Sequence, residues 1–275
     1  MQGIRGRASI KLPSGWQIYT FFLGFPLWWV LGVQNFVWPV LAFPLLLSLF
    51  WRGGIRLPRG FGLWLLFLVW MIASATQIEG DWRLLAFVYR GSLYLSATVL
   101  FLYIYNASRH VLPDRSVTTA LGACWVLVAV GGFFALLFPN VSFRSLAMML
   151  MPKELMNIRF IYDVVQPGFG DVQRILGYPF PRPKTFFPYS NAWGANFALL
   201  APFALALLAQ MKSRLGRTAL IALLVASVVP FIFSLNRAAW FSLGLGLAYA
   251  AVRFALRGSV RAAGALLLFF TAAGA

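Results

Sequence analysis

Arg182-Pro183-Lys184-Thr185-Phe186-Phe187-Pro188-Tyr189-Ser190-Asn191-Ala192-Trp193-Gly194 leads from a basic, proline-punctuated approach into an apolar run that lasts to about residue 211. One hairpin later Ser234-Leu235-Asn236-Arg237-Ala238-Ala239-Trp240 opens a second such run. Each run reaches the ~20 residues that a helix needs to cross a ~30 Å hydrocarbon core. In lipid every backbone N–H and C=O must be satisfied within the segment, so each run reads as a helix. Both stretches set an arginine where the apolar run meets water.

The rest of the chain agrees with that reading. Of 275 residues, 61% are hydrophobic, 17% aromatic and only 11% charged, which no soluble core of this size can absorb. The net charge of +17 comes from 23 basic residues scattered in twos and threes between apolar runs. Such scattering forms no continuous patch for nucleic acid and matches membrane topology instead. The single cysteine, Cys124, sits in an apolar run and forms no intrachain disulfide.

Arg5, Arg7 and Lys11 precede an apolar run at 16–33 that is too long for a cleaved signal peptide and reads as a retained anchor. Further runs lie at about 36–51, 61–78, 84–105 and 117–138, then at 187–211, 217–235 and 238–256, and another begins near Ala262. The expected fold is an all-α integral membrane protein with about eight complete transmembrane helices and a partial ninth. Its parts are an N-terminal five-helix half (1–138), an extracytoplasmic loop (139–186) and a C-terminal half (187–275). Residues 262–275 would rise only about 21 Å as a helix, so the C-terminal half is expected to be incomplete.

Orientation follows from the retention of Lys and Arg on the cytoplasmic side. With the N-terminus cytoplasmic, the clusters at 5–11, 52–59, 109–115, 212–217 and 253–261 all fall inside. Glu79, Asp81, Glu154, Asp163 and Asp171 then fall outside, and only Asp114 inside. In the long outer loop, residues 143–156 carry Leu146, Met149, Leu150 and Met156 among Arg144, Lys153 and Glu154, which suits a short amphipathic helix in the headgroup layer. From Pro167 to Pro183, glycine and proline impose turns and extended backbone.

Most reactive-site patterns are missing. The chain has no Walker-type loop, no paired cysteines and no metal-ligand spacing, and its one histidine, His110, falls on the inner side. The lone Gly244-x-Gly246 lies on a span, where small residues serve helix packing. What remains is arginine at the outer membrane boundary, whose planar guanidinium pairs bidentately with phosphate oxygens. Arg237, between two spans and sharing a helix face with Trp240, is the leading candidate; the bland alternative is snorkelling to ordinary headgroups. Arg182 and Lys184 end the loop, and Asn191 lies inside the next span, where it needs a hydrogen-bond partner. Arg90 lies in the outer half of its span, with either Glu79 or Asp81 or a lipid phosphate as partner. Arg159 and Gly170 form a common R-x10-G spacing.

At these two stretches the sequence resembles the O-antigen ligase and O-antigen polymerase superfamily of bacterial membrane proteins. The resemblance rests on Arg182, on Phe187-Pro188-Tyr189-Ser190-Asn191 opening a span, and on the Ser234-Leu235-Asn236-Arg237-Ala238-Ala239-Trp240 turn, where Asn236 replaces a usual small residue. It implies an enzyme of the bacterial cytoplasmic (inner) membrane, a glycosyltransferase-type ligase. Such an enzyme moves a glycan on the outer face from a polyprenyl-pyrophosphate (undecaprenyl pyrophosphate) carrier to a saccharide or lipid-linked acceptor, with no metal, nucleotide or other cofactor. By that resemblance Arg237 and Arg182 are catalytic, holding the pyrophosphate; Arg90, Arg159, Lys184, Asn191, Ser234 and Trp240 are the further candidates for substrate binding. Polymerisation of lipid-linked repeat units is the alternative within the superfamily, and a transporter or flippase of lipid-linked saccharides the alternative outside it. The superfamily's outer-loop catalytic histidine has no counterpart here, so the base is expected beyond Ala275 or from Glu154, Asp163 or Asp171.

Overall fold

A computed structural model describes residues 16–51, 53–175, 177–258 and 264. The protein is mostly helical, and six helices among the described residues are long and apolar enough to cross a membrane. The expected ninth span, the basic N-terminus, Arg52 and Arg261 lie outside the described residues, apart from Gly264 within that span.

The first expected span is not one rod. It divides into α1 (Trp16–Leu23) and α2 (Phe25–Leu31), each too short to cross alone. Gly24 and Pro26 mark the break: Pro26 lacks the N–H that would continue the ladder and is favoured in the first turn of a new helix. Gly32, at φ 75°, then turns the chain into α3 (Gln34–Trp51). The third expected span also falls short, as α4 (Phe61–Ala73) followed by a 3-10 turn at Ser74–Gln77. Next come two long helices, α5 (Asp81–Asn106) and α6 (Asp114–Leu137).

The long loop at 139–186 folds as a cap. The expected amphipathic helix is broken by Pro152 into α7 (Leu146–Leu150) and α8 (Lys153–Met156), and α9 (Arg159–Val165) follows. Strands β1 (Gly170–Ile175) and β2 (Tyr178–Pro183) pair antiparallel as a hairpin within this loop, while the expected spans that are described remain helical. The chain then re-enters the helical body as α10 (Ser190–Gln210), returns as α11 (Arg214–Ala226) and α12 (Val228–Phe233), which together make one span, and ends its described part in α13 (Arg237–Leu256).

Helix α6 is the axis, with half of its most apolar window buried, the largest share of any candidate span. Gly122 and Gly132 let α10 approach it: a Cβ at Gly122 would lie 2.9 Å from the Phe203 carbonyl, and one at Gly132 2.5 Å from Trp193. Small residues at such a seam let helix backbones pack closely in lipid. On one side of α6 lies a core of Trp125, Val128, Trp193, Phe197 and Phe231; Phe197 stacks on Phe231 at 4.7 Å between ring centres. On the other side, Ile18, Phe21, Leu45, Leu49 and Leu100 pack α1, α3 and α5 against the start of α6.

Two opposite faces result. The Asn35 side chain donates to the Val164 carbonyl at 3.1 Å, which ties the α2–α3 turn to the cap. On the far face Asn106 exchanges hydrogen bonds with the Arg56 backbone at 2.7 and 3.0 Å. The cap, the start of α10 and the α12–α13 turn share the first face.

Candidate functional site

The site is built where the hairpin meets the α12–α13 turn. Pro179, Pro181 and Pro183 occupy every second position of β2, opposite Arg174, Val172 and Gly170. Proline cannot donate to a ladder, so these positions fall at pairs that need no N–H, leaving Tyr178, Phe180 and Arg182 to bond with β1. Successive side chains point to opposite faces, so Phe180 and Arg182 leave the hairpin on one side. Phe180 stacks on Phe233 at 4.7 Å, which seats that face on the end of α12.

Arg182 spends most of its donors there. Its Nε and Nη2 both donate to the Ser234 carbonyl, at 2.9 and 2.7 Å; Nη1 donates to Gln173 Oε1 at 2.8 Å, and Nη2 also reaches Asn191 Oδ1 at 2.8 Å. Arginine suits this position because a carbonyl at a helix C-terminus lacks an intrahelical partner and draws a cation.

The turn itself is held by polar side chains. Ser234 is buried, and its hydroxyl donates to the Phe231 carbonyl at 2.6 Å. Leu235 takes φ 50°, a left-handed conformation unusual for a residue with a branched side chain. Asn236 caps α13 by accepting from the Ala239 N–H at 3.1 Å, and its own amide donates to the Asn191 carbonyl at 2.8 Å. The Trp240 indole donates to the Phe231 carbonyl at 2.9 Å, closing the broken helix.

The first turns of α10 and α13 therefore adjoin, and a helix N-terminus carries partial positive charge. Gly194 permits the contact, since a Cβ there would sit 3.0 Å from Asn236 and 3.1 Å from the Ser234 hydroxyl. Ser190, the first residue of α10, is buried with a hydroxyl that has no partner among the described residues. Arg237 is the first residue of α13, exposed, and forms no hydrogen bond or ion pair among the described residues. The ion pairs among the described residues are Arg109 with Asp114 and Arg159 with Asp163. Among the described residues neither Arg182 nor Arg237 pairs with an acid, although Asp171 stands directly opposite Arg182 in the strand register.

An apolar cavity of about 730 Å³ runs between α6, α10, α11, α12 and α13, lined by residues that include Trp125, Phe197, Phe231, Trp240, Gly244 and Leu247. It begins at Trp240, one turn below Arg237, and extends to Ala248.

Of the residues singled out from sequence, Arg182, Asn191, Ser234 and Trp240 join this network, and Arg237 stands at its edge. Ser234 takes part through its carbonyl, and Trp240 through a bond within the turn. Arg90 and Arg159 lie elsewhere, close enough to Tyr189 for their charges and that of Asp163 to act on its phenol. Arg90 pairs with neither Glu79 nor Asp81, and Arg159 holds Asp163 at 3.9 Å. Lys184 lies along Gly168, and its backbone N–H donates to Phe169. Gly170 owes its identity to packing, since a Cβ there would meet Pro139 at 2.8 Å. Sequence reading overlooked Gln173, Thr185 and the capping role of Asn236. Thr185, fully buried, donates to the Gly131 carbonyl at 2.7 Å and pins the loop to α6. Asn236 did carry a signal, an asparagine directly before an apolar helix; Gln173 carried none. No protein-family model matches the chain, and no curated protein or solved structure matches it.

Proposed function

We propose that the protein is a membrane glycan transferase of the O-antigen ligase type. It binds a polyprenyl-pyrophosphate-linked glycan at the outer face of the bacterial cytoplasmic membrane and passes the glycan to a saccharide or lipid-linked acceptor. One observation supports the reading: Arg237, at the N-terminus of α13 and with no side-chain partner among the described residues, lies one turn before Trp240, which lines an apolar cavity among membrane-length helices. A ligand with a polyanionic head and a long hydrocarbon tail satisfies both features, since the guanidinium pairs with phosphate oxygens and the cavity takes apolar chain.

In this reaction an acceptor hydroxyl oxygen attacks the anomeric carbon, and the bond from that carbon to the diphosphate oxygen breaks, its electron pair leaving with the diphosphate. Arg237 and the N-terminus of α13 stabilise the charge that grows on the leaving group. The acceptor proton passes to a carboxylate. Among Glu154, Asp163 and Asp171, the best placed is Asp171, opposite Arg182 and free of ion pairs.

The test is incubation of the purified protein with a polyprenyl-pyrophosphate-linked oligosaccharide and saccharide acceptors, without ATP or added metal. The expected result is an elongated acceptor together with free polyprenyl pyrophosphate. Translocation of the intact donor across vesicles with no change in its glycan would reject the transferase in favour of a carrier.

A further inference from the structure

We infer that Arg182 is a positioning residue: it locks the Ser234–Asn236 turn and thereby fixes where Arg237 emerges, without touching the ligand itself. The inference rests on the reading of Arg237 as the diphosphate contact. A guanidinium has five N–H donors in a rigid fork. In Arg182 that fork closes on the Ser234 carbonyl through Nε and Nη2, while Nη2 also reaches Asn191 and Nη1 reaches Gln173. One Nη1 N–H is left over, so a diphosphate could grip Arg182 bidentately only by breaking one of these bonds.

The turn needs such a hold. Leu235 sits at φ 50°, and a conformation of this kind persists only where its surroundings over-determine it. Three attachments do so: Arg182 on Ser234, the Asn236 amide on the Asn191 carbonyl, and the Asn236 cap on Ala239. Arg182 is the one that comes from the cap. On the same side of the hairpin Phe180 stacks on Phe233, so the hairpin acts as a strut that sets the first turn of α13. Arg237 follows that turn directly and has no attachment of its own. Lysine cannot replace arginine here, because a single ammonium offers no planar fork.

Hydrogen–deuterium exchange and pyrophosphate binding test this on the protein in lipid nanodiscs. Without ligand, the backbone amides of residues 235–240 are expected to exchange about tenfold faster in Arg182→Lys, with a smaller rise in Gln173→Ala, while the amides of α6 stay unchanged. Gln173 is exposed, so its variant keeps the test usable should Arg182→Lys fail to fold. With inorganic pyrophosphate as probe, Arg182→Lys should weaken binding in the wild-type background and add nothing in Arg237→Gln, since its whole effect passes through Arg237. Unchanged exchange at 235–240, or losses that multiply in the double variant, would overturn the positioning role. A wild-type protein that ignores pyrophosphate would instead reject the diphosphate reading, leaving the exchange comparison to decide the strut alone.

Discussion

Arg237 and Arg182 have the same charge and lie on the same face, yet their surroundings give them different work. Arg237 is exposed and unattached, so its replacement removes charge and fork without disturbing the packing. Arg237→Gln is expected to leave thermal stability unchanged and to cut glycan transfer at least tenfold, as loss of a charge-assisted phosphate contact requires. A fall in melting temperature matched to the loss of transfer would point to a structural role instead. The prominence of Arg237 was legible in the sequence because a charge between two apolar runs stands out. The partners of Arg182 were not legible: Ser234 is 52 positions away, and Gln173 meets it only through strand pairing. Neither relation leaves a local pattern.

At the level of elements, the apolar runs announced the long helices, and the breaks in them had readable causes. Gly24-Phe25-Pro26 explains the division of the first run, and Met151-Pro152 the division of the amphipathic helix. The hairpin was hidden by its own composition. Proline at alternate positions reads as loop, yet that alternation is what an antiparallel strand tolerates when the prolines miss the bonded pairs. The seam between α6 and α10 was equally silent, because glycine in a span says nothing about its neighbour. Gly132→Ala is expected to force apart Trp193 and Pro230, which would lie 2.5 and 2.9 Å from the new methyl group. Overpacking of this kind costs about 1–3 kcal/mol, visible as a lower melting temperature in detergent. An unchanged melting temperature would mean that the seam has slack.

Over the whole molecule, charge and topology agree. Glu79, Asp81, Glu154, Asp163 and Asp171 belong to the cap face, and Asp114, paired with Arg109, belongs to the opposite one. We propose that the cap face is extracytoplasmic, as retention of basic residues inside requires. In intact cells a membrane-impermeant maleimide is expected to label Tyr178→Cys in the hairpin and to spare Ser108→Cys, with the buried Cys124 silent in both. Labelling of Ser108→Cys alone would invert the topology and place Arg237 in the cytosol. The long apolar helices were readable from the sequence; the meeting of two helix N-termini at Gly194 and Asn236 was not, because it depends on how α10 and α13 pack. That meeting point is where the proposed chemistry belongs. The most direct measurement is the binding of polyprenyl pyrophosphate to the nanodisc-embedded protein, wild type against Arg237→Gln. Saturable binding that weakens at least tenfold in the variant is the predicted result, and equal affinity of the two proteins would contradict it.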